Sequence, residues 1–173
     1  AQILGQEIVG YMRKRMDEYG AVCRNYGISG TRIAKRRVPY ENPEFDRYYA
    51  SRVPEMDPDA DIVVVFGGTN DYWHKNTAIG TPDSPNTFVG ALKYIWDYLN
   101  ENHPDAEYLF VFPPNQTFGG NTSSTDFGYG TLDDFRAAFL DFCDKNNVQH
   151  VNLAETDFDP AQHSGDGVHP NSA

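Results

Sequence analysis

The sequence has few basic residues and no long apolar run, and each absence excludes a class of protein. Only 14 lysines and arginines stand against 25 aspartates and glutamates, so the formal net charge is −11. A nucleic-acid partner is not expected, because binding a phosphate backbone requires cationic side chains. Most of the acidity is interpreted as a solvated surface. No run of about 18 apolar residues occurs, so no membrane span is predicted. Without a recognisable signal peptide, the cellular location stays open.

Cysteines are also scarce. Cys23 and Cys143 do not have the spacing of a metal pair, and two cysteines indicate no disulfide framework. Both lie in predicted elements among apolar neighbours, so buried free thiols are expected. The glycine pair Gly67-Gly68 lacks the further glycine and lysine of a phosphate-binding loop. These observations leave a small-molecule partner as the expectation, with a homo-oligomer left open.

Strand and helix patterns alternate along the chain, without an internal repeat or a linker. Strands are predicted over residues 21–26, 61–66, 106–112 and 148–153. Helices are predicted over residues 3–20, 43–53 and 87–102, and from Thr131, which would cap its helix together with Asp134. The run at 61–66 is continuously apolar and β-branched, as expected of a parallel strand covered on both faces. The pattern predicts one α/β domain over residues 1–173, with three layers and a parallel sheet.

Three polar loops, over residues 27–31, 67–71 and 164–171, are predicted at one edge of this sheet. Ligands of open α/β sheets bind beyond the carboxyl ends of the strands. The last loop contains Asp166 and His169, three residues apart. Such a carboxylate can hold one imidazole nitrogen and leave the other to accept a proton, as in a nucleophilic triad. The alternatives are a turn aspartate beside a surface histidine, and a zinc site formed with His163.

The other two loops offer donors for a developing oxyanion. Asn70 could point its side-chain amide into the site, and an amide N–H stabilises negative charge without competing as an acid. Gly30 could add a backbone N–H. The alternative in both cases is an ordinary turn, since glycine and asparagine are turn residues. Ser29 is a conceivable nucleophile, but no motif supports it.

Taken jointly, the loops resemble the sequence blocks of the Ser-Gly-Asn-His (SGNH) hydrolases, also called GDSL-type lipases and esterases. The second block of that family carries a glycine after a strand end, which matches Gly30. Its third block matches Gly68-Thr69-Asn70-Asp71, and its last block matches Asp166-Gly167-Val168-His169. The resemblance covers nearly the whole chain in the order of the family.

The resemblance implies a flavodoxin-like sheet and a serine esterase that needs no metal or organic cofactor. It implies that His169 is the general base and Asp166 its orienting carboxylate, with Gly30 and Asn70 in the oxyanion hole. The first block of the family, Gly-Asp-Ser, does not occur in this chain. The nucleophilic serine and the interior first strand are therefore expected upstream of Ala1. A helix after the histidine loop is also expected to be missing, so the domain is predicted to be incomplete at both ends.

The substrate follows less directly from the sequence. Asp71, Tyr72 and Trp73 come directly after Asn70 and are predicted to contact substrate. Aromatic residues in the loops over 72–86 and 115–130 could hold an acylated sugar or could pack the loops. Small acyl esters, especially acetyl groups on carbohydrate, are the expected substrates. Two alternatives are a non-catalytic carbohydrate-binding module and a flavodoxin-like nucleotide or flavin binder.

Overall fold

The computed structural model describes residues 2–4, 9–35, 43–74, 77–84 and 86–169. Its strands are β1 (Gln2–Leu4), β2 (Arg24–Asn25), β3 (Ile62–Phe66), β4 (Glu107–Phe112), β5 (Thr117–Phe118), β6 (Asn121–Thr122) and β7 (His150–Asn152). Its α-helices are α1 (Val9–Glu18), α2 (Tyr49–Arg52), α3 (Thr69–Trp73), α4 (Phe88–Asn102), α5 (Leu132–Asn146) and α6 (Pro160–His163). Short 3₁₀ turns lie at Pro43–Asp46, Val53–Glu55 and Leu153–Glu155.

Five strands form a parallel sheet in the order β2-β1-β3-β4-β7. This is the flavodoxin-like order that the resemblance implies. Parallel crossovers are right-handed. The connection through α1 leads from β1 to one side, whereas those through α4 and α5 lead to the other side, so these helices cover opposite faces. The three-layer α/β/α fold is thereby confirmed, and the carboxyl ends of all five strands share one edge.

The larger core lies between the sheet and the helices α2, α4 and α5. Its sheet side is lined by Val63, Val65, Phe110 and Phe112, all buried. The helices contribute buried apolar side chains that include Phe88, Leu92, Ile95, Leu99, Phe135, Phe139 and Phe142. Val64 and Val111 face the opposite side and form a smaller cluster. Burial on both faces explains why β3 has a continuous apolar run and not an alternating one.

The expectation of a missing interior strand is wrong, because β1 occupies that position. Gln2 and Ile3 pair with β2 on one side, and all three residues pair with β3 on the other. The helix predicted over residues 3–20 is correspondingly shorter, since α1 begins at Val9. An interior strand provides hydrogen-bond partners for the backbone groups of both neighbours. Pairing of this kind outweighs the helical spacing of the apolar residues.

Most other predicted elements are confirmed within a few residues. Thr87 caps α4 through its hydroxyl, and Thr131 and Asp134 form the predicted capping box at the start of α5. Cys143 is buried and Cys23 half-buried, and both are free thiols. The hairpin of β5 and β6 was not predicted, because it lies within a polar stretch that reads as loop. No helix in the described part of the chain has the length and apolar character needed to cross a membrane.

Candidate active site

Asp166 and His169 form a hydrogen-bonded pair in the loop after α6. Asp166 Oδ2 lies 2.5 Å from His169 Nδ1. Asp166 Oδ1 accepts the backbone N–H groups of Val168 (2.9 Å) and His169 (2.8 Å), and the hydroxyl of Ser164 at 3.1 Å. The backbone amide of His169, followed by its ring, holds the pKa of Asp166 well below its usual range. The carboxylate therefore stays ionised at neutral pH.

The pair has the geometry of a general base and its orienting carboxylate. An ionised carboxylate only accepts hydrogen bonds, so the proton of a neutral His169 ring lies on Nδ1. The lone pair is then on Nε2, the nitrogen that can take a proton from a hydroxyl nucleophile. Both side chains are about half exposed (54% for His169 and 44% for Asp166), as a solvent-facing site requires.

Gly167 connects this loop to the β5–β6 hairpin. The N–H of Thr117 donates to the carbonyl of Gly167 at 2.8 Å. Gly167 has a φ of +81°, and a Cβ built there would lie 1.3 Å from the Thr117 carbonyl oxygen. Only glycine fits such a close approach of two backbones in this conformation. The hairpin therefore helps to fix the loop that carries His169.

Asn70 lies in the first turn of α3, directly beyond β3. The turn out of the strand uses Gly68, which has a φ of +124° and lies against the ring of Phe112. Asn70 Nδ2 donates to the carbonyl oxygen of Thr31 at 3.0 Å. Because a carbonyl only accepts, this contact orients the amide nitrogen towards the Gly30 loop. The same nitrogen carries a second N–H, which can donate to a substrate oxygen.

Gln116 joins the Asn70 helix to the hairpin. Its side chain is buried, donates from Nε2 to Thr69 Oγ1 at 2.8 Å, and accepts at Oε1 from Trp73 Nε1 at 2.6 Å. The next residue, Thr117, bonds to Gly167. Hydrogen bonds, together with the peptide bond between Gln116 and Thr117, therefore link the three predicted loops. Sequence reasoning missed Gln116, although its position shortly after β4 places it at the carboxyl edge of the sheet.

Two of the predicted substrate contacts have structural roles instead. Asp71 is 1% exposed and accepts the backbone N–H groups of Ile33 (2.9 Å) and Ala34 (3.0 Å). Burial raises the pKa of Asp71 to about 6. Tyr72 is 2% exposed, and its hydroxyl lies within hydrogen-bond distance of the carbonyl oxygens of Thr122 in β6 and Thr125 just after it. The sequence-based prediction treated Asp71, Tyr72 and Trp73 alike, because residue type alone does not indicate which side chains are exposed.

Trp73 differs from its two neighbours because it is only half buried. Its ring lies edge-on to Phe118, with 5.5 Å between the ring centroids. Phe118 is 52% exposed and belongs to β5, the strand that bonds to the His169 loop. An accessible aromatic pair therefore lies between the Asn70 helix and the Asp166–His169 loop.

The remaining candidates are placed as follows. Ser29 is exposed in the turn before Gly30. His163 Nδ1 accepts the backbone N–H of Asp159 at 2.9 Å. That nitrogen is therefore occupied and does not join Asp166 and His169 in the alternative zinc site. Within the described ranges, no three histidine, cysteine, aspartate or glutamate side chains gather into a metal site.

In the sequence, β1 is followed by Gly5-Gln6-Glu7-Ile8, which lies outside the described residues and contains no hydroxyl or thiol.

A family model for the GDSL-like lipase/acylhydrolase family matches residues 5–173. The chain belongs to this family. Membership agrees with the order of the Gly30, Asn70 and Asp166–His169 loops around one edge of the sheet. No curated protein matches the sequence.

Solved structures with similar folds include several relatives of the GDSL family. A Lactobacillus plantarum protein is 26% identical, with a TM-score of 0.76 over 98% of this chain and 87% of that chain. A GDSL-like lipase from Bacteroides thetaiotaomicron is 18% identical, with a TM-score of 0.62 over 98% and 78%. An acetyl xylan esterase is 16% identical, with a TM-score of 0.61 over 99% and 92%. At such low identities, the last two demonstrate a shared fold alone.

Proposed function

We propose that this GDSL-family protein is a serine-type carboxylic-ester hydrolase that works through an acyl-enzyme. The observation that carries the proposal is the Asp166–His169 pair, with Asp166 Oδ2 2.5 Å from Nδ1 and the lone pair on Nε2. The pair belongs to a loop linked by hydrogen bonds to the Asn70 helix. General base and oxyanion donor are the two groups that acyl transfer requires besides a nucleophile. Neither group needs a metal or an organic cofactor.

The reaction has two steps. His169 Nε2 accepts the serine hydroxyl proton while the serine oxygen attacks the acyl carbon, and the C=O electrons move onto the oxygen. The Asn70 amide and the Gly30 backbone N–H stabilise this oxyanion. On collapse, the ester C–O bond breaks and the imidazolium returns its proton to the leaving alcohol. In the second step, His169 takes a proton from water as the water oxygen attacks the acyl carbon. The bond from the acyl carbon to the serine oxygen then breaks, the imidazolium returns its proton to that oxygen, and the acid leaves.

The nucleophile is proposed to be a serine in a segment that precedes Ala1. In the family, the serine follows the strand that occupies the interior position, where this sequence has Gly5-Gln6-Glu7. No hydroxyl is present there, so a serine nucleophile would have to come from another segment.

Labelling with a fluorophosphonate tests this proposal in the full gene product, including any residues before Ala1. The expected result is one modified serine, located before Ala1 by peptide mass spectrometry, and loss of p-nitrophenyl acetate turnover on labelling. A label on Ser29 would assign the nucleophile to the turn beside Gly30. Absence of both labelling and turnover would instead support a non-catalytic binding module, an alternative that the lack of a hydroxyl in Gly5-Gln6-Glu7 favours.

The substrates are proposed to be small acyl esters of carbohydrates. The half-exposed Phe118 and the adjacent Trp73 offer apolar ring surface beside the catalytic loop. Aromatic rings of this kind pack against the apolar face of a sugar, while its hydroxyls stay in water. The similar fold of an acetyl xylan esterase is consistent with an acetyl donor. A flavin or nucleotide binder is not favoured, because the family acts on acyl groups.

Replacing Phe118 by alanine tests the proposed contact between its ring and a sugar. Loss of one aromatic contact of about 1–1.5 kcal/mol is expected to raise KM for an acetylated xylo-oligosaccharide roughly fivefold to tenfold. Hydrolysis of ethyl acetate should change less than about twofold, since its alcohol is too small to reach the ring. Tyr94→Ala, which removes an exposed aromatic from α4, is the matched control. Equal effects of Phe118→Ala on both esters would contradict a sugar-specific contact.

A further inference from the structure

Arg52, the last residue of α2, is a buried cation outside the residues that act on substrate. It is 1% exposed. Burying a guanidinium is costly unless its N–H groups are hydrogen-bonded. Arg52 donates from Nε to the carbonyl of Arg47 at 2.8 Å, from Nη2 to Thr31 Oγ1 at 2.8 Å, and from Nη1 to the carbonyl of Tyr26. The fork therefore contacts three acceptors in two segments of the chain.

Two of these acceptors flank the loop that carries Gly30. Tyr26 lies at the start of the loop and Thr31 at its end. The Thr31 hydroxyl also donates to the carbonyl of Ile28 at 2.7 Å, inside the loop. One side chain thus holds both ends of the segment that presents the Gly30 amide. A residue needed only to fill space would not require hydrogen bonds to both ends.

Thr31 also connects Arg52 to the second oxyanion donor. The Thr31 carbonyl accepts from Asn70 Nδ2 at 3.0 Å, as described above. A shift of Thr31 would therefore move Gly30, its neighbour in the chain, and would turn the Asn70 amide. Asp71 holds the following residues, Ile33 and Ala34, from the other side. The loop is fixed between a buried cation and a buried carboxyl group.

We infer that Arg52 is a positioning residue for the oxyanion hole, fixing the Gly30 loop through Tyr26 and Thr31. The inference rests on the proposed hydrolase activity. Arginine suits this role because its planar fork carries five N–H donors on three separate nitrogens. A lysine keeps the charge but has one nitrogen, which cannot reach all three acceptors. The ring of Tyr49, 4.9 Å from Cζ, provides a further contact that holds the guanidinium in place.

Arg52→Lys in the full gene product is the first test. We expect kcat for p-nitrophenyl acetate to fall about 10²-fold, since a displacement of about 1 Å in a catalytic group has effects of this size. KM should change less than about twofold, because Arg52 stabilises the transition state and not the bound substrate. Arg47→Lys is the matched control. That side chain pairs with Glu55 at 2.6 Å near the surface, and its replacement should leave kcat close to the parent value.

Thr31→Val provides a milder variant that removes the hydroxyl linking Arg52 to the loop while keeping the side-chain shape. It is expected to lower kcat roughly tenfold, because it displaces the Gly30 and Asn70 donors only partly. In the double variant, the effects of Arg52→Lys and Thr31→Val should not add, because both changes break the same contact. Independent, multiplying effects on kcat would contradict a shared route through Thr31.

Hydrogen exchange provides a readout that does not depend on activity. Peptides that cover residues 26–34 should exchange faster in Arg52→Lys than in the parent, while peptides from β3 and α4 keep their protection. Unchanged exchange in this loop, or kcat within twofold of the parent, would overturn the inference. A general fall in protection and Tm would also overturn it, by assigning Arg52 to overall stability. If the parent protein hydrolyses no ester, the proposed function fails, and the exchange measurement still tests the loop contact.

Discussion

Replacing His169 by alanine is expected to lower kcat for p-nitrophenyl acetate in the full gene product by about 10⁴-fold or more. In the proposed mechanism, the variant lacks the group that takes the proton from the serine and returns it to the leaving alcohol. Initial rates and single-turnover release of p-nitrophenol provide the measurement. The fold is expected to survive, because the half-exposed ring of His169 contributes little to the core.

The control for this variant is His163→Ala, in the neighbouring helix α6. His163 is exposed and bonds to the backbone of Asp159, so its loss should leave kcat close to the parent value. Turnover that survives in His169→Ala would remove His169 from the mechanism. A large loss in His163→Ala would indicate that the order of the loop, and not the imidazole of His169, limits the rate.

Asp166→Asn is expected to lower kcat by about 10⁴-fold, with little change in fold stability. The asparagine oxygen can still accept the backbone N–H groups of Val168 and His169 and thereby keep the loop conformation. Its amide nitrogen, placed where Oδ2 meets Nδ1, would donate to the ring and move the ring proton to Nε2. The histidine would then have the wrong tautomer to accept the serine proton.

A crystal structure of the Asp166→Asn variant can separate this effect from a displaced loop. An unchanged backbone over residues 164–169, together with the loss of kcat, is the expected combination. Asp159→Asn is the matched control, because Asp159 caps α6 through Ala161 and stands outside the proposed reaction. Near-parental kcat in Asp166→Asn would show that the carboxylate is not needed to orient the ring.

Much of the architecture could be predicted because local patterns and tertiary structure agree. The β-branched run of β3, with Val63, Val64 and Val65, fits a strand covered on both faces, and burial is what the structure shows there. Thr131 and Asp134 predicted the start of α5, because a capping box depends only on residues three apart. The edge where the loops lie follows from the strand directions alone.

Other features could not be predicted, because they depend on contacts between distant parts of the chain. Ile3 and Leu4 fit a helical spacing, and short apolar segments do not distinguish helix from strand until neighbouring strands are known. Arg52 is not part of any sequence motif, since its three acceptors lie elsewhere in the sequence. Tyr72 and Asp71 looked like ligand contacts, because burial depends on the whole fold.

The β5–β6 hairpin has a consequence for changing what the protein acts on. Its first strand consists of two residues with different roles. Phe118 presents its ring, and the backbone of Thr117 donates to Gly167. Under the proposed function, remodelling this two-stranded element to admit a different alcohol would shift the imidazole at the same time. Selectivity and speed should therefore change together in engineered or divergent hairpins. Useful diversification would have to leave the Thr117–Gly167 junction intact and vary only the side chains that face outward.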